Sequence, residues 1–166
     1  MLAIADTGPL NYLVLIGCID LLPELYEKVL IPPAVLRELL SPSAPAIVRS
    51  WATNLPPWIQ QASPSPQSLN DPRWAGLHSG ETAALALSGV NQPAILLIDE
   101  WSARERALSH RLPVIGTLGI LDEAAQSNLI SFPAAIEKLK QTSFRYPSPL
   151  VERLLARHNL RQGRTQ

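Results

Sequence analysis

The chain has 166 residues and a mass of 18.1 kDa, and 46% of its residues are hydrophobic, which fits one soluble globular domain with a real core. Its 14 basic and 14 acidic side chains cancel, its single cysteine excludes an internal disulfide framework, and no apolar stretch reaches the roughly 20 residues of a membrane span. Cys18 alone, and a start without a basic leader or small-residue cleavage site, give the expectation of a reducing cytoplasm and no membrane partner.

Leu2-Ala3-Ile4-Ala5 runs straight into Asp6 and predicts a first strand over residues 2–6. Pro9 suits the first turn of a helix, with Thr7 or Gly8 near its cap. Leu10, Leu13, Val14 and, past Gly17, Leu21 and Leu22 supply its apolar face. Lys28-Val29-Leu30-Ile31 reads as a second strand, stopped by Pro32-Pro33, which opens a helix from Ala34 to Leu40; another covers 44–54. Residues 55–77 hold five prolines among Ser, Gln and Asn, and predict an irregular surface loop with a brief edge strand at Trp58-Ile59.

Helical patterning resumes at Ser79-Gly80-Glu81, with Ser79 as a cap, and ends at Gly89. Ala94-Ile95-Leu96-Leu97-Ile98 is an apolar run between helical segments, as in a buried strand of a parallel sheet, and Asp99-Glu100 closes it. A helix over 101–110, a short strand at Pro113-Val114-Ile115, a helix from Gly116-Thr117 to Ser127 and two more over 133–141 and 149–161 complete the chain. The alternation of strand and helix gives an α/β fold, a parallel sheet covered by helices.

Two strand-end acids, Asp6 and Asp99, therefore reach the carboxyl edge of one sheet, where open α/β folds put their chemistry. Unpaired, they would repel unless a cation lay between them. Glu81 in a first helical turn and Glu38 on the helix after Pro32-Pro33 extend the set. Oxygen ligands without a histidine at these positions favour Mg²⁺ or Mn²⁺ over Zn²⁺, although His78 is close to Glu81 in sequence. Each acid also has a plainer explanation. Glu81 complements a helix dipole, Glu38 faces solvent beside Arg37, and Asp6 makes an Asx-turn or cap. Asp99 resists such dismissal, because a charge ending a buried strand needs a partner. Glu100 is its rival for the inward position.

Charge is unevenly spread. Residues 138–166 carry seven Lys or Arg against Glu152 alone. Arg153, Arg157, Arg161 and Arg164 recur at helical spacing, which reads either as a phosphate-tracking stripe or as a solvated helix face.

The ordered set Ile4-Ala5-Asp6-Thr7-Gly8-Pro9-Leu10, Val29 to Leu39, Gly80-Glu81-Thr82-Ala83-Ala84-Leu85, Leu97-Ile98-Asp99-Glu100 and Val114-Ile115-Gly116-Thr117 resembles PIN-domain proteins, among them bacterial toxin ribonucleases. The resemblance implies a three-layer α/β/α fold with a small central parallel sheet of four or five strands. The PIN-like domain would span 1–145, and 146–166 would be its basic helical extension. It implies a metal-dependent ribonuclease acting on single-stranded RNA by in-line attack, leaving a 5′-phosphate and a 3′-hydroxyl. Asp6, Glu38, Glu81 and Asp99 would be its four acids, and Asp6, Glu81 and Asp99 its Mg²⁺ or Mn²⁺ ligands. Thr7, Glu100 and Thr117 would support them. Independently of the resemblance, Arg104 on the helix after Asp99, and Arg153 and Arg157 of the basic row, are candidate RNA contacts. A homodimer, and an antitoxin protein as partner, are further family expectations.

Two positions depart from the family pattern. Gly8 stands where Ser is common, and Glu100 where a second Asp is frequent. The rival readings are an inactive PIN-type module that binds nucleic acid or protein, an aspartic protease using Asp6-Thr7-Gly8, and a phosphoacceptor receiver domain. The protease is disfavoured because its folds are nearly all β, the receiver because no Lys follows the last strand.

Overall fold

A computed structural model of the chain describes residues 1–91 and 93–162, with side chains as far as Leu160. The chain forms two compact units, Met1–Thr117 and Leu118–Gln166. The first is built on five strands: β1 (Leu2–Ala5), β2 (Lys28–Ile31), β3 (Ile59–Gln61), β4 (Ala94–Leu97) and β5 (Val114–Ile115). All pairings are parallel, and the order across the sheet is β3-β2-β1-β4-β5.

The order follows from the connections. From β1 the chain steps outward to β2 and β3 through α1 (Thr7–Leu15), α2 (Leu21–Leu25), α3 (Pro33–Leu39) and α4 (Ala46–Thr53). It then returns through α5 (Pro66–Leu69) and α6 (Ser79–Ser88) to β4 on the other side of β1, and reaches β5 through α7 (Trp101–Ser109). Right-handed crossovers in opposite directions put the two helix sets on opposite faces, giving the three-layer α/β/α arrangement. The direction reverses between β1 and β4, whose ends carry Asp6 and Asp99.

Side-chain alternation then fills both faces. Register partners Ile4, Leu30 and Leu96 cluster with Ala84, Leu85, Ala103 and Ala107 of α6 and α7. Their neighbours Ala3, Ala5, Val29, Ile31 and Leu97 point the other way and are also buried. A sheet covered on both sides needs such continuous apolar strands. From Ala83 to Ser88 every residue of α6 is buried, and three alanines there allow close approach to the sheet.

Three sequence expectations change. The apolar face assigned to one helix belongs to two: Gly17, at φ +67°, ends α1, with Cys18 N–H bonded to the Leu13 carbonyl at 2.8 Å. The cap of α6 is His78, and Ser79 is its first helical residue. The 55–77 stretch is more ordered than its composition suggests. It contains β3, α5 capped by the Ser65 hydroxyl, and a 3-10 turn (Pro72–Trp74) that buries Trp74. The edge strand falls at Ile59–Gln61, one residue past the expected Trp58.

The second unit consists of the remainder of α8 (Thr117–Gln126), α9 (Phe132–Leu139) and α10 (Ser148–Gln162). Asp122 accepts hydrogen bonds from Arg157 and from the buried His158 at 2.7 Å, and Phe132 stacks on the His158 ring. Among the described residues no helix is long and apolar enough to cross a membrane.

Candidate active site

Asp6 follows β1 directly, and its N–H continues the ladder to the Leu97 carbonyl at 3.0 Å. The sheet therefore fixes it beside the end of β4. The residue is 7% exposed and stands at the N-cap of α1 without a side-chain cap hydrogen bond. Burial pushes its carboxyl up to about 7; the charges of Glu38, Glu81 and Asp99 push the same way, against the Thr7 N–H. At neutral pH a proton and a cation would compete for it.

Asp99 leaves the end of β4 and turns toward Thr117. Thr117 N–H and Oγ1 each donate to its carboxylate at 2.7 Å. Burial raises the Asp99 carboxyl, although both Thr117 bonds and Arg104 oppose the rise. A β-carbon on Gly8 would stand 3.3 Å from Asp99 Oδ2, so the turn after β1 packs on the second strand-end acid. Glu100, by contrast, is exposed, and its carbonyl accepts the Arg104 N–H in the first turn of α7. Of the two, Asp99 takes the inward position.

Glu38 stands in the last turn of α3, where that helix meets α6. One of its oxygens accepts from Thr7 Oγ1; the other accepts from Ser79 Oγ at 3.1 Å and Gly80 N–H at 3.2 Å. An ionised carboxylate offers about four acceptor sites, so most of Glu38's are taken. Glu81 is 5% exposed and accepts the His78 N–H at 3.0 Å, the local bond of a helix start. Asp6, Glu38, His78, Ser79 and Glu81 line one cleft of about 260 Å³. A β-carbon on Gly80 would fall 2.8 Å from Asp6 Oδ1 and 2.9 Å from Glu38 Oε1, so the two carboxylates flank a space that only glycine leaves open.

Three of the four expected acids thus share a cleft, and Asp99 adjoins it through Gly8 and its effect on Asp6. Among the described residues no three His, Cys, Asp or Glu side chains stand as ligands around one point. Mg²⁺ needs no such cage, because it commonly takes one or two carboxylates and keeps its waters. The acids and Ser79 offer oxygens to this cleft, one of them on a buried carboxyl raised by burial and by like charge, and these fit a hard dication; His78 lines the cleft beside them.

A family model described as a PIN domain matches residues 2–160. The chain belongs to the PIN-domain family. No curated protein and no solved structure matches it. PIN domains are generally nucleases that work with divalent metals, and the parallel sheet with Asp6-Thr7-Gly8 entering a helix excludes the aspartic-protease reading.

In this PIN domain Arg104 is half-buried and donates to the Ile98 carbonyl at 2.9 Å; a β-carbon on Gly116 would meet its Nη1 at 2.7 Å. Its visible work is to brace the turn behind Asp99. Arg157 pairs with Asp122 in the second unit, and Arg153 is exposed there. Arg164 and the Arg161 side chain lie outside the described residues. Sequence reading missed Ser79 and Gly80 as parts of the site and set His78 outside the acidic pattern, whereas all three adjoin the cleft. Their only signal was position, immediately before Glu81.

Proposed function

We propose that this PIN domain is a Mg²⁺- or Mn²⁺-dependent ribonuclease that hydrolyses phosphodiester bonds of single-stranded RNA. The observation that carries the reading is the buried Asp6 carboxyl at the point where the sheet reverses direction, with Glu38, Glu81 and Asp99 around it. Asp6 and Glu81 would hold the dication directly or through water, with Asp99 beside them. A bound dication supplies activation of water and offsets charge building on the phosphate. Asp6 would hold the cation as a carboxylate, so binding would favour loss of its proton. Glu38 ties Thr7 to the start of α6 and so keeps the cleft's two walls in register. Thr117 holds Asp99 turned toward the strand edge. In the reaction a water oxygen bonds to phosphorus, the bond to the 3′ oxygen breaks, and that oxygen leaves as a hydroxyl with a proton from the water.

A second reading, a PIN-type module that binds without cutting, is favoured by one observation. Glu38, Glu81 and Asp99 already accept hydrogen bonds from their own chain. Cleavage of labelled single-stranded RNA in Mg²⁺ or Mn²⁺, against EDTA and Asp6→Asn, separates the two. The nuclease reading expects metal-dependent products and a loss of about a hundredfold or more in Asp6→Asn. Retained binding without products in either metal would leave the binding module.

A further inference from the structure

Beside the acidic cleft lies a second pocket of about 400 Å³, wholly within the first unit. Its walls are apolar: Pro33 and Ala34 of α3, Pro64, Leu69 of α5, and Ala83 of α6. Ser63, Thr82 and the exposed Arg37 supply its polar groups. Arg37 has no ion-pair partner among the described residues. Ser79 lines both pockets, and its hydroxyl donates to Glu38 in the acidic one. Consecutive α3 residues divide in the same way, since Glu38 lines the acidic cleft and Arg37 the apolar pocket.

Two adjoining pockets of such unlike chemistry match the two ends of a nucleotide. The charged end belongs with a cation among carboxylates. The base has flat apolar faces and a polar edge, which suits proline and leucine walls interrupted by hydroxyls. The exposed Arg37 guanidinium on the pocket's lining suits a neighbouring backbone phosphate. A purely apolar protein anchor would cover the Ser63 and Thr82 hydroxyls without offering them a partner.

We propose that the pocket between α3 and α6 seats one nucleobase of the RNA strand whose phosphate occupies the acidic cleft, with Arg37 on an adjacent phosphate. The inference rests on the ribonuclease reading and adds to it a base-binding position beside the cut.

The test uses the whole chain with Mn²⁺ and a set of oligoribonucleotides in which each position in turn is abasic. One position flanking the cut should lose about tenfold or more in kcat/KM, the size of a lost base contact. Thr82→Phe, which fills the pocket, should abolish that position's special sensitivity, with its fold checked by circular dichroism. Wild-type hydrolysis of bis(4-nitrophenyl) phosphate, which has no base, reports the chemistry separately. If RNA is cleaved with equal tolerance of an abasic residue everywhere, the base pocket is wrong and the nuclease stands. If neither RNA nor the small diester is hydrolysed, the nuclease reading falls and takes the pocket with it. A change in sedimentation of Thr82→Phe, with the wild-type abasic profile flat, would assign the pocket to a second copy of the chain and overturn the proposal.

Discussion

Gly80 stands against the Asp6 carboxylate so closely that a β-carbon there would lie 2.8 Å from Oδ1. In an ordinary helix Gly→Ala stabilises by up to about 1 kcal/mol. Here the methyl group enters the space between Asp6 and Glu38. Gly80→Ala should therefore fail to raise the melting temperature and should cut RNA cleavage severely, whereas Gly89→Ala, on the exposed end of α6, should leave cleavage unchanged. Full activity in Gly80→Ala would remove the space between the acids from the mechanism.

The Asp6 carboxyl, near 7 in the fold against 3.8 ordinarily, links stability to pH. Between those values the folded chain holds a proton that the unfolded chain has released. Without metal, stability should fall as pH rises from about 4 to about 7, by an amount on the order of a few kcal/mol. Asp99, also raised, adds to the same trend. Asp6→Asn cannot acquire the charge and should flatten the slope, leaving the variant more stable than wild type above neutrality. Urea titrations across that pH range, in EDTA, measure it.

Divalent metal should reverse that penalty. Binding to the folded chain alone contributes about 1.4 kcal/mol at roughly ten times Kd. For a chain of this size that raises the melting temperature by about 3–6 °C. Millimolar Mg²⁺ or Mn²⁺ should give such a shift in wild type, larger at pH 8 than at pH 6, and little in Asp6→Asn. A scan that is the same with EDTA and with both metals would count heavily against a metal site.

Thr117 holds Asp99 through both its N–H and its hydroxyl. Thr117→Val keeps the first bond and removes the second, which opposes the rise of the Asp99 carboxyl. The acidic limb of the pH–rate profile should move to higher pH, and stability at neutral pH should drop by about 1–3 kcal/mol. Thr117→Ser should restore both. An unchanged profile in the valine variant would show that Asp99 does not titrate in the reaction.

In the second unit, burial works against the Asp122 charge, but Arg157 and His158 outweigh it and hold its carboxyl below the ordinary range. The stability this contributes is present above pH 4 and lost as pH falls further. Asp122→Asn should destabilise at neutral pH by about 1–3 kcal/mol, and less at pH 3. Thermal scans at the two pH values test it.

The sequence by itself determined the strands and the acids that end them. Apolar runs of strand length between helical segments require a parallel sheet, and in such a sheet Asp6 and Asp99 can only emerge at the carboxyl edge. Only the tertiary structure decided what those acids touch. Periodicity stops at the last strand residue, so nothing local turns Asp99 toward Thr117 and leaves Glu100 exposed. Glu38 meets Thr7, Ser79 and Gly80 across 31 to 42 residues of sequence, because α3 packs on the start of α6. The order of 55–77 has the same cause: Trp74 is buried against groups distant in the chain, and proline composition carries no trace of that contact. Arg157, one of a basic row at helical spacing, is matched by Asp122 on a different helix, a pairing that spacing along one helix cannot encode.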